Sequence, residues 1–235
     1  MKKLIIANWK ANKNILEASL WVEEIKKELS EMANVQAVVC GSFTNLPTLH
    51  NLLSETHLKV GAQNVSHLGS GAFTGEVSVE MLPGLVDYCL VGHSERKKYF
   101  AETIEQSAKK VELLISKNII PVLCVADVQE LKTYLSASEE IKNHAEKIIF
   151  VYEPPAAISG GKDYHPESPE KANQVCGEFK EILGEVVTLY GGSVNPDNIK
   201  SFLSQTNIDG ALPGQASLKS ESFISLLRIA GEAMV

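Results

Sequence analysis

Eight apolar, β-branched runs with helical segments between them predict one closed (β/α)8 barrel over residues 1–235. The runs lack the polar alternation of a sheet with one wet face, as expected of parallel strands covered by helices. No linker, low-complexity tract or break in composition divides the chain, and 235 residues is an ordinary length for such a barrel. The competing architecture is an open doubly wound sheet. Asn8-Trp9-Lys10 argues against it, because a dinucleotide-binding sheet carries GxGxxG after its first strand.

Strands are expected at Leu4–Ala7, Ala37–Cys40, Leu58–Ala62, Tyr88–Val91, Ile119–Val125, Ile148–Tyr152, Val186–Tyr190 and, briefly, Ile208–Leu212. Between them, Ile15, Val22, Ile25 and Leu29 share one helical face, opposite Glu17, Glu24 and Lys27. Ile104, Ala108, Val111 and Ile115 share another. Ser168-Pro169-Glu170 and Asn195-Pro196-Asp197 each read as a capping residue followed by proline at the first helical position. The stretch from Val128 to Glu146 is short and mostly polar, which predicts abbreviated outer helices between the fifth and sixth strands.

Composition narrows the function. Net charge is -7, which argues against nucleic-acid or anionic-membrane binding, while backbone N–H groups can still hold a small anion. No stretch approaches the roughly 20 apolar residues of a membrane span. The apolar opening breaks at Asn8 and Lys10, short of the ~7–15 residues of a secretory signal, so it is expected to be the first strand of a cytoplasmic protein. Cys40, Cys89, Cys124 and Cys176 form no CxxC pair and are expected as small buried hydrophobes in a reducing compartment. His50, His57, His67, His144 and His165 lack metal-ligand spacing, and no metal or other cofactor is expected. Arg96-Lys97-Lys98 reads as a solvated helix start with local pairing, and Trp9 and Trp21 as core.

In a (β/α)8 barrel, chemistry belongs at the C-terminal ends of the strands. Those ends carry Asn8 and Lys10, then Gln63-Asn64, then His93-Ser94-Glu95. Glu153 follows the sixth strand, Gly191-Gly192-Ser193 the seventh and Gly214-Gln215 the eighth. Glycine turns that open helices present N–H groups and a positive dipole end, which suits a phosphate. A carboxylate desolvated at a strand end under the Pro- and Gly-rich stretch to Lys162 suits a base. A neutral histidine can donate to a carbonyl oxygen, and a lysine can offset charge on an enediolate. Together they fit proton abstraction beside the carbonyl of a small phosphorylated compound.

The sequence resembles triosephosphate isomerase along essentially its whole length. The resemblance rests on Ala7–Asn12, Gly61–Asn64, Gly71–Glu76, Val91–Arg96, Tyr152–Pro154, Tyr190–Val194 and Gly214–Leu218. It implies a TIM barrel and a cofactor-independent isomerase of glycolysis and gluconeogenesis that interconverts dihydroxyacetone phosphate and D-glyceraldehyde 3-phosphate. It implies Glu153 as the proton shuttle, His93 as the carbonyl-polarising group and Lys10 as the stabiliser of the enediolate. Asn8 would orient oxygens, Ser94 would hold Glu153 and Glu95 would brace Lys10. The amides of Ser159, Ser193, Gly214 and Gln215 would bind phosphate. Homodimers or tetramers are implied, with Thr74 at the interface.

The sequence departs from that family at Pro155-Ala156, where an aliphatic residue and Trp are usual, and at Ser159 and Gln215, where glycine is usual. Cys124-Val125-Ala126-Asp127 replaces the usual Gly-Glu ending. Two other readings compete. A scaffold barrel would have lost the base or the electrophile, and neither is missing. A Schiff-base aldolase needs a strand-end lysine poised to attack; Lys10 is the one lysine so placed, and beside His93 and Glu153 it reads better as an electrostatic group.

Overall fold

The computed structural model describes residues 2–32, 34–157 and 167–233. Its strands are β1 (Leu4–Asn8), β2 (Gln36–Gly41), β3 (Lys59–Ala62), β4 (Tyr88–Val91), β5 (Ile120–Val125), β6 (Ile149–Tyr152), β7 (Val187–Tyr190) and β8 (Gly210–Ala211). All are parallel, and they close in sequence order, with Leu4 registered on Gln36 of β2 and on Gly210 of β8. The expected strand ends hold to within about two residues, β8 being the shorter.

Both faces of each strand are dry, which is why the runs do not alternate. Leu4, Ile6, Val38, Cys40, Val122 and Val151 point into the barrel, while Ile5, Ala7, Ala37 and Val39 meet the helices. That outer layer comprises α1 (Ile15–Lys26), α2 (Leu46–Leu53), α3 (Ser94–Phe100), α4 (Ile104–Ser116), α5 (Val128–Ala137), α6 (Glu139–Asn143), α7 (Pro169–Leu183), α8 (Ile199–Leu203) and α9 (Ser220–Glu232). Trp9 and Trp21 are buried edge to face at 4.9 Å, and Phe223 of α9 closes the cluster at 5.4 Å. Asn14 with Glu17, and Thr103 with Gln106, form reciprocal capping boxes that start α1 and α4. Between β5 and β6 the layer is abbreviated to α5 and the five-residue α6.

Two local expectations change. Ile15 is exposed at 54%, because α1 buries Ala18, Trp21, Val22 and Ile25 instead. Ser168 caps α7 with Pro169 behind it as expected, but Asn195 does not start a helix. Its Oδ1 accepts the N–H groups of Asp197 and Asn198, forming a turn that delays α8 to Ile199. The four cysteines are buried and free. Among the described residues no helix is long and apolar enough to cross a membrane, and no cluster of three metal-binding side chains occurs.

A buried charge cluster ties β3 to α3 and α4. Glu102 accepts from Lys110 Nζ at 2.6 Å, Arg96 Nε at 2.5 Å and Ser107 Oγ at 2.9 Å, and Lys110 also reaches Asn64 Oδ1 at 2.8 Å. Burial pushes the Glu102 carboxyl up, but its Lys110, Arg96 and Ser107 donors outweigh burial and hold it below the usual range. Burial pulls Lys110 down further than its shared carboxylate lifts it, with Arg96 adding to the drop. Glu102→Ala strands two cations and should cost about 3–5 kcal/mol of stability, read by urea unfolding. Because the folded pKa of Glu102 is depressed, its contribution is full above the unfolded value of 4.5 and is lost as pH falls through the lower folded value. Acid titration of ellipticity should show that step in the parent chain and a smaller one in the variant.

Candidate active site

Asn8, Lys10, His93, Glu153, Ser193, Gly214 and Gln215 line one cavity at the C-terminal mouth of the barrel. Lys10 sits just past β1 with φ +53°, an unusual left-handed backbone held by its own N–H donating to Asn8 Oδ1 at 3.0 Å. That turn aims the ammonium at Glu95 Oε1, 2.6 Å away. Gly214 gives the lysine its path, because a Cβ there would lie 3.1 Å from Lys10 Cε. Asn8 therefore shapes the lysine turn with Oδ1 and leaves its Nδ2 for another acceptor.

His93 is the N-cap of α3 and is buried at 6% exposure. Its Nδ1 accepts the Glu95 N–H at 3.2 Å, so that nitrogen carries no proton. The assigned tautomer is neutral with the proton on Nε2, which lies 2.9 Å from Glu153 Oε1. Glu153 is 2% exposed, and its Oε2 accepts the Ser94 N–H at 3.0 Å. Burial pushes its carboxyl up, and the His93 hydrogen bond, the Ser94 N–H and the Lys97 charge oppose that push. Ser94 grips Glu153 by its backbone; its buried hydroxyl has no hydrogen-bond partner among the described residues.

The phosphate side is less open than the sequence implied. The Ser193 N–H and Oγ both donate to the Ala157 carbonyl, at 3.0 and 2.8 Å. Gly214 and Gln215 open the 3-10 turn Gln215–Ser217 towards the cavity, where first-turn N–H groups lack partners within the turn. Ser159 lies outside the described residues. Thr74 is exposed on the loop after β3 and does not line this cavity. Gln63 and Asn64 serve the scaffold, Gln63 by donating to the Cys40 carbonyl at 2.9 Å.

A family model described as triosephosphate isomerase matches residues 3–230. The chain belongs to the triosephosphate isomerase family. Curated relatives named triosephosphate isomerase come from Dehalococcoides mccartyi, Dictyoglomus turgidum and Thermus thermophilus. They are 38%, 38% and 40% identical over 97%, 97% and 98% of this chain and 96%, 99% and 100% of their own lengths. The chain is accordingly an intramolecular aldose–ketose isomerase.

Three contributors escape a reading of the sequence by strand ends. Tyr190 Oη accepts the Glu167 N–H at 2.8 Å, and Tyr152 Oη donates to the Glu167 carboxylate at 3.3 Å. Both tyrosines are strand residues whose rings face the helices, so their hydroxyl partners follow only from the folded geometry. Gly92, at φ +66°, lets the chain turn from β4 into His93. Because the Ser94 hydroxyl is buried without a partner, Ser94→Ala should leave stability unchanged or slightly raised, as thermal unfolding would read.

Proposed function

We propose that Glu153, His93 and Lys10 perform the interconversion of dihydroxyacetone phosphate and D-glyceraldehyde 3-phosphate, a step of glycolysis and gluconeogenesis. The observation that carries this reading is the pair of bonds made by His93, with Nδ1 accepting an N–H and Nε2 facing the Glu153 carboxylate as the donor. Glu153 removes the proton from the carbon beside the substrate carbonyl. The electron pair moves onto the carbonyl oxygen, where the His93 Nε2–H and the Lys10 ammonium meet the growing charge. Glu153, now protonated, returns the proton to the neighbouring carbon. The reaction moves protons and no net electrons, so these side chains suffice for it.

The resting contacts of Glu153 suggest how its basicity is timed. When a substrate oxygen takes the His93 donor, Glu153 loses one of the bonds that hold its pKa down while remaining buried. Burial then dominates, the pKa rises and the carboxylate becomes a stronger base at the moment it is needed. Asn8 Nδ2 orients a substrate oxygen beside Lys10, Glu95 braces the ammonium and Ser94 retains the idle carboxylate. The phosphate falls to the amides of Gly214, Gln215, Ser193 and Ser159, and binding at Ser193 requires release of the Ala157 carbonyl.

We extend the reading to a cytoplasmic homo-oligomer, a dimer or a tetramer. Phe73, Met81, Tyr99 and Phe100 are large apolar side chains exposed at 42–67%. Phe73, Thr74 and Phe100 line one groove, which supports reading Thr74 as an interface residue. Sedimentation equilibrium at micromolar concentration should return at least a dimer, and a monomer would overturn the assembly. For the base, Glu153→Asp retracts the carboxylate by about 1 Å and should lower turnover on the order of 10²-fold in a coupled triose phosphate assay. Unchanged turnover would remove Glu153 from that role.

A further inference from the structure

We propose that Lys97 and Glu130, backed by Tyr134, are positioning residues that fix His93 and the Ser94 N–H against Glu153. The inference rests on the reading of His93 and Glu153 given above and adds the device that aligns them. Lys97 lies on α3, one turn beyond His93, and its backbone N–H donates to the His93 carbonyl at 3.3 Å. Its Nζ meets Glu130 Oε1 at 2.6 Å, and the other oxygen of Glu130 accepts the Ala126 N–H at 2.6 Å. One carboxylate thus ties α3 to the turn that follows β5.

Tyr134 stands one turn further along α5. The Lys97 ammonium is 5.6 Å from its ring centroid, and a Cβ built at Gly92 would meet its Oη at 2.5 Å. The ring is fully buried. The same face of α5 therefore grips the chain on both sides of the histidine, at Gly92 before it and at Lys97 after it. Lys97 and Glu130 are only 24% and 17% exposed, so the pair is shielded enough to hold one geometry. A helix as short as α3 has few packing contacts of its own, and none of its residues is buried. External ties must set its angle.

The groups that bear on the Glu153 carboxylate are His93, Ser94 and Lys97 from the β4–α3 side and the Cys124 thiol from β5. Lys97 is the one fixed positive charge among them.

The test compares Lys97→Met, Lys97→Arg, Glu130→Ala and the Lys97→Met/Glu130→Ala double variant in the coupled assay. Each is assayed well below its own unfolding temperature, with Glu153→Asp as the control. Single losses should lower kcat about tenfold and leave KM within twofold, because the proposed phosphate contacts at Ser193, Gly214 and Gln215 follow β7 and β8, away from α3. The double variant should be no worse than the poorer single, since the two act as one tie. Lys97→Met should move the acid limb of kcat/KM to higher pH, and Lys97→Arg should restore both rate and limb. Should Glu130→Ala fail to fold, Glu130→Gln removes the ion pair while keeping an acceptor for Ala126, with the same expectation. Unchanged kcat in Lys97→Met and Glu130→Ala, additive losses, or a fall in rate with no movement of the acid limb would overturn the tie. If Glu153→Asp alone keeps full activity, the underlying assignment of the base fails instead.

Discussion

The active end of this barrel depends on one hydrogen bond, from the Glu95 N–H to His93 Nδ1. It sends the imidazole proton to Nε2 and aims that proton at Glu153. The bond exists because His93 occupies the N-cap of α3, where the first N–H groups of a helix have no partner within it. A cap normally uses a hydroxyl or carboxamide oxygen. With an imidazole in that place, the helix start selects a tautomer. Fold and chemistry meet in a single contact.

The charges around that contact are arranged in pairs. Lys10 pairs with Glu95, Lys97 with Glu130, and Arg96 and Lys110 share Glu102. Of these, Lys10 alone lines the cavity, and it reaches the wall that carries Gly214. Pairing keeps its ammonium extended across the mouth before any substrate arrives, so less side-chain ordering remains to be done on binding. The left-handed backbone at Lys10 belongs to the same preparation, a local strain maintained by the surrounding barrel.

Most of the barrel was legible in the sequence because each strand is an uninterrupted apolar run and both of its faces are dry. Misreadings occurred where a local polar contact competes with a general rule. Asn195-Pro196 has the composition of a helix start, yet the Asn195 side chain closes a turn first. Ile15 fits the apolar period of α1 but sits at its mouth, ahead of the tryptophan cluster that defines the buried face. At the site, residue types at strand ends located Lys10, His93 and Glu153. They did not reveal that Ser94 acts through its N–H or that the Ser193 N–H is already engaged, because backbone donors leave no mark in residue identity. Long-range pairs such as Lys97–Glu130, 33 positions apart, are equally silent until the helices are placed.

The Ser193–Ala157 contact links the two ends of the cavity that the proposed reaction uses. Ala157 closes the 3-10 turn Pro155–Ala157, which begins two residues after Glu153, and its carbonyl accepts both donors of Ser193. A phosphate that takes the Ser193 N–H must dislodge that carbonyl, and the displacement bears on the short segment attached to the base. A charged acceptor makes the stronger hydrogen bond, roughly twice a neutral one, so the exchange runs in favour of the phosphate. In the proposed mechanism, binding at the remote phosphate and release of Glu153 from its resting donors would be mechanically joined through Pro154–Ala157. Part of the phosphate's binding energy would thereby be directed to the reacting carbon, which is how a non-reacting group raises the rate of a chemical step rather than affinity alone.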